Sequence, residues 1–115
     1  MVEILDKYQK LLRLQDWDIK VEYVPQSIIP GRAGQIEYLV THKVGVIRLP
    51  THDTYEPTIR FPQQDIEHAI VHELVHLLFS VIDDTIERQT VANYQYEFAI
   101  NAIVGAILNR ENSDE

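Results

Sequence analysis

Between residues 3 and 14, apolar side chains stand at Ile4, Leu5, Tyr8, Leu11 and Leu12. Spacings of three and four, with Asp6, Lys7 and Lys10 between them, predict an amphipathic helix. From Trp17 the period falls to two, because Trp17, Ile19, Val21 and Tyr23 alternate with Asp18, Lys20 and Glu22 until Pro25. That pattern predicts a half-buried strand. Pro30, Gly31 and Gly34 then punctuate the chain as a turn rather than a phosphate loop, since no Lys-Ser/Thr pair follows them. Two further extended runs, Gln35 to Thr41 and Val44 to Leu49, fit a hairpin through His42 and Lys43. Residues 50 to 62 contain Pro50, Pro57 and Pro62 and read as a loop.

Beyond Pro62 the chain reads as helical to about Arg110, with a break near Asp83 and Asp84. In the first of the two helices, Ile66, Ile70, Leu74, Leu77 and Val81 line one side, and Val71, Val75, Leu78 and Ile82 a flank. So little circumference is left for water that the helix is expected to be buried. The second holds the run Phe98 to Leu108, apolar all round except for Asn101, and is expected to be buried as well. The elements add up to one α+β domain over residues 1–110: an N-terminal helix, a small mixed or antiparallel sheet of about three strands, and two C-terminal helices. Residues 111–115 read as a disordered acidic tail.

Composition narrows the chemistry. With no Cys, a disulfide framework, a thiolate metal site and a thiol nucleophile are all excluded, so any metal must be held by His and carboxylate. Ten Lys and Arg against 18 Asp and Glu give a net charge of −8, which disfavours nucleic-acid binding because no basic block is present to displace counterions. No apolar run is long enough for a membrane span, and the first residues lack the features of a secretory signal, so a cytoplasmic protein is expected.

The chemistry concentrates at His72-Glu73-Leu74-Val75-His76. At about 100° per residue the two His lie about 40° apart on the helix, so both imidazoles can share one metal. Glu73 stands beside the pair, placed to accept a proton from a water held by the metal. A third ligand must be a carboxylate or come from upstream, because no His follows His76. If the two helices pair antiparallel about Asp83-Asp84, position 97 falls opposite position 72, which brings Glu97 to His72 and His76. A stripe through Thr90, Asn93, Glu97, Asn101, Val104 and Leu108 would face the same seam. On that face, Asn101 can accept the free ring N–H of His72. His68, one turn before His72, reads as a solvated or capping residue, with a fourth-ligand role as the alternative. His42 and His52 carry no spacing signal. Tyr94 and Tyr96 are candidates for polarising a scissile carbonyl, Tyr94 being better aligned with Glu97.

Across His72 to Asn101 the sequence resembles the gluzincins, zinc peptidases in which a His-Glu-x-x-His helix is completed by a Glu on the following helix. Glu97 stands 21 positions after His76, close to the family spacing, and Glu97 to Asn101 resembles the family's Glu-x-x-x-Asp with Asn in the last place. Size and element order resemble the minigluzincins and the small zincin-like proteins common in phages and prophages. The resemblance implies a zincin-like fold, zinc held by His72, His76 and Glu97, Glu73 as the catalytic base, and a peptide or protein substrate. It also implies that an edge strand above the active-site helix pairs with extended substrate, with Val44 to Leu49 expected in that role. The alternative is a catalytically silent binding or structural module stabilised by zinc.

Overall fold

The computed structural model describes residues 2–32, 34–51, 66–80, 87 and 90–112. Within them the protein is α+β, with helices α1 (Val2–Leu11), α2 (Ile66–Leu78) and α3 (Val91–Asn112) and strands β1 (Asp18–Val24), β2 (Gln35–Leu39) and β3 (Val44–Pro50). The expected loop up to Pro62, the helix start at Pro62, His52, the outer positions Val81 and Ile82 and the break at Asp83-Asp84 all lie outside the described residues.

Helix α1 stops three residues earlier than its apolar spacing predicts, for a local reason. Arg13 adopts a left-handed conformation with φ 60°, its N–H donates to the Lys10 carbonyl, and the Leu14 N–H reaches back to Gln9. These two bonds form a Schellman cap, which satisfies helix-end carbonyls and turns the buried Leu14 into the core. Gln9 secures the exit by donating from Nε2 to the carbonyls of Leu14 and Trp17, each at 3.0 Å.

The sheet order is β1-β3-β2. β2 and β3 form the expected antiparallel hairpin, with Ile36 opposite Ile47 and Lys43 taking the positive φ of 52° that the reversal requires. β1 joins β3 in parallel, from Asp18 beside Val44 to Val24 beside Pro50, so the sheet is mixed. This order corrects the expectation for Val44 to Leu49. β3 is hydrogen-bonded on both sides, so its backbone donors and acceptors are already used and it offers no edge to a substrate. Among the described residues the strand with a free edge that also packs on α2 is β2. On β3, Arg48 reaches outward to Glu22 of β1 and Glu37 of β2, at 2.8 Å each. The two carboxylates, Glu37 foremost, raise the guanidinium pKa further.

α2 is the central post. Ile70, Val71, Leu74 and Val75 are fully buried, and the helix packs against α1, α3, β2 and β3. Tyr8 of α1 donates a 2.6 Å hydrogen bond to Glu67, tying the two helices near the start of α2.

α3 departs from expectation. Ile100 and Val104 are buried, but Phe98 is 76% exposed and Ala99, Asn101 and Ala102 face outward. It is a surface helix with one buried face, and among the described residues its main neighbour is α2. The helix is also rotated relative to the predicted stripe. Its seam runs through Asn93, Tyr96, Glu97, Ile100 and Val104, which are buried or half-buried, while Asn101 turns out to solvent. Burying Ile100 gains apolar contact, whereas burying an unpaired Asn amide would cost about 1–3 kcal/mol. Thr90 likewise caps the helix rather than facing the seam, its Oγ1 accepting the Asn93 N–H at 3.1 Å. The helix continues through Asn112, two residues into the stretch read as tail, and residues 113–115 lie outside the described residues.

Candidate metal centre

The site lies in the seam between α2 and α3. His72 and His76, one turn apart on α2, present their rings with centroids 4.8 Å apart and planes tilted by 59°. Their Nε2 atoms lie 3.1 Å from each other. From α3, Glu97 Oε1 stands 3.5 Å from His72 Nε2 and 3.3 Å from His76 Nε2. Three lone-pair-bearing atoms thus converge at one point, and the group His72, His76 and Glu97 can hold a metal ion.

The spacing fits a small divalent ion. Ligand atoms bound tetrahedrally at about 2.0–2.1 Å are separated by about 3.3 Å from one another, and the three distances here bracket that figure. Among the described residues the converging group supplies three ligand atoms, two from imidazoles and one from a carboxylate; catalytic zinc sites take three protein ligands of this kind, whereas closed structural sites take four.

Hydrogen bonds from His72 and His76 hold the Glu97 carboxyl well below its ordinary value, at about 2, against an opposing push from partial burial. Because the folded-state pKa is depressed from 4.5, the stability this contributes to the metal-free protein is fully present above about pH 4.5. It is lost as pH falls toward 2. The effect should be modest, since the Glu97 side chain is 40% exposed and water screens it. Acid denaturation followed by circular dichroism should show metal-free Glu97→Gln protein losing less stability between pH 4.5 and 2 than the parent. Parallel curves would mean that the pairing contributes nothing.

Glu73 shares α2 with the two His but turns toward the sheet. It is 7% exposed, and its Oε2 lies 3.5 Å from where a Cβ on Gly34 would be, with Leu49 Cδ2 at 3.3 Å from that point. Gly34, just before β2, therefore leaves room beside the carboxylate that any larger residue would take. Local spacing marks Gly34 only as a turn residue, since nothing in it relates that position to Glu73, 39 positions on.

The residues around the ligands are arranged differently from expectation. His72 Nδ1 is buried with no hydrogen-bond partner among the described residues, and Asn101 is exposed, so Asn101 does not orient His72. The rotation of α3 that buries Ile100 carries Asn101 away. That rotation also overturns the alignment expected of the tyrosines: Tyr94 is 63% exposed, while the Tyr96 hydroxyl lies 3.2 Å from His76 Nδ1, the ring nitrogen that is not in the converging group. The two rings meet edge to face at 5.3 Å. His68 is half-buried rather than solvated, its ring stacked 6.2 Å from that of His72, and it does not belong to the converging group. His42 is exposed in the β2–β3 turn, where its Nδ1 lies 3.0 Å from Thr41 Oγ1.

Among the described residues, no helix is long and apolar enough to cross a membrane. The chain matches no family model, no curated protein and no solved structure.

Proposed function

We propose that the protein is a compact zinc-dependent metallopeptidase of gluzincin-like type, with a zincin-like fold built around α2. The observation that carries this reading is the convergence of His72 Nε2, His76 Nε2 and Glu97 Oε1 to within 3.1–3.5 Å, on the helix that also holds Glu73. His72, His76 and Glu97 hold the zinc. When bound, the ion acts as a Lewis acid toward water and the substrate carbonyl.

Glu73 takes a proton from the attacking water as oxygen adds to the carbonyl carbon, then delivers a proton to the nitrogen of the departing amine when the C–N bond breaks. Its burial keeps bulk water from competing for that proton. Extended substrate pairs with β2, an edge strand of the sheet among the described residues that also packs on α2.

A second reading has its own support. The ligands join α2 to α3, and α3 packs chiefly on α2, so a zinc ion holding the two helices together would stabilise the fold even without catalysis.

The direct test is incubation of the zinc-loaded protein with a broad peptide library, with products identified by mass spectrometry. New termini that appear with zinc and vanish with a chelator are expected. An intact library, from protein shown to carry one zinc per chain, would remove the peptidase and leave the structural module.

A further inference from the structure

We propose that Tyr96 is the positioning residue for His76: its hydroxyl accepts the Nδ1–H of the imidazole, so that the Nε2 lone pair is presented to the metal. This rests on the reading of His72, His76 and Glu97 as metal ligands.

An imidazole that binds a metal through Nε2 must carry its proton on Nδ1, and an acceptor at Nδ1 fixes both tautomer and ring orientation. Tyr96 Oη stands 3.2 Å from His76 Nδ1. The contrast within the pair is informative, because His72 Nδ1 is buried without a hydrogen-bond partner among the described residues. Only one of the two ligand rings is thus oriented by a described acceptor, and that acceptor is adjacent in sequence to the third ligand. One turn of α3 therefore supplies both Glu97 to the ligand group and Tyr96 to the far side of His76. The Tyr96 ring also meets Phe79 edge to face at 6.4 Å. A hydroxyl both donates and accepts, so it can also partner His76 in the opposite tautomer, and metal binding need only reverse the bond's direction.

Tyr96→Phe keeps the ring and deletes the oxygen. Zinc affinity, measured by competition with a chromophoric chelator, should fall about 10- to 100-fold. Phe79→Leu, which loosens the packing but retains the hydroxyl, should stay close to the parent. In the zinc-loaded parent, the proton on His76 Nδ1 should resonate downfield of that on His72 Nδ1, and the difference should vanish in Tyr96→Phe. An affinity for Tyr96→Phe within about twofold of the parent would overturn the inference, as would an equal loss in Phe79→Leu, since packing would then be the cause. Should Tyr96→Phe not fold, the parent's resonances still decide: equal Nδ1 shifts for the two His exclude a special bond at His76. A parent that takes up no zinc would overturn this inference together with the metal site, whereas zinc lost on Glu97→Ala and kept on Tyr96→Phe would overturn this inference alone.

Discussion

Glu97→Ala should leave a folded protein that has lost most of its zinc, with affinity reduced by well over the 10- to 100-fold typical of losing a residue that merely supports a ligand. Among the described residues Glu97 supplies the only carboxylate of the converging group and its only member from α3. Without it, two imidazoles on a single turn remain, and the ion would no longer bridge the two helices. His72→Ala and His76→Ala should have comparable effects. Glu87→Ala is the control: Glu87 is exposed and its backbone carbonyl accepts a hydrogen bond from Thr90 Oγ1, so zinc content should not change. Asn101→Ala should likewise resemble the parent, because Asn101 faces solvent. Zinc should raise the melting temperature of the parent, since an ion at 100 times its dissociation constant adds about 2.7 kcal/mol, and this increment should be largely absent in Glu97→Ala. Equal zinc content by elemental analysis in parent and Glu97→Ala would remove the ligand assignment and with it the gluzincin-like reading.

Glu73→Gln should have the opposite profile. Glutamine has nearly the same shape, so the buried site between α2 and Gly34 should keep its packing, and zinc content and thermal stability should change little. Hydrolysis of any peptide the parent cleaves should fall by about 10²–10⁴-fold or more, the range by which a positioned general acid or base contributes, because an amide cannot take up the proton of water. The variant therefore separates the two functional readings. Loss of cleavage with zinc retained identifies Glu73 as the base; unchanged cleavage excludes this mechanism, and loss of zinc would make Glu73 a ligand.

Some of this was legible from spacing alone. Two imidazoles four positions apart on a helix must share a face, and Ile70, Leu74 and Val75 around them require that helix to be buried. The alternation in 17–23 and the extended runs Gln35 to Thr41 and Val44 to Leu49 located the strands. These are properties of local geometry, in which 3.6 residues per turn or two per pleat fix relative direction whatever the rest of the chain does. Glu97 was also within reach, because a helix pair taken as antiparallel about Asp83-Asp84 brings position 97 opposite position 72.

Spacing does not determine how far a helix rolls about its own axis, or which strand of three lies in the middle. α3 rolls until Ile100 and Val104 meet α2, since apolar burial outweighs any gain from an Asn in the seam. That small rotation decides that Tyr96 rather than Tyr94 approaches the site, that Asn101 faces water, and that Phe98 stays exposed. Strand order is likewise a property of the assembled sheet: the gluzincin resemblance implies a rim position for β3, but β1 joins it in parallel on the side opposite the hairpin. The sequence by itself determined the chemical types of the ligands and the helix that carries two of them. Only the packing of α3 and the sheet against α2 decided which residues support those ligands, what lies beside Glu73 and which edge remains open, because these depend on contacts between elements far apart in the chain.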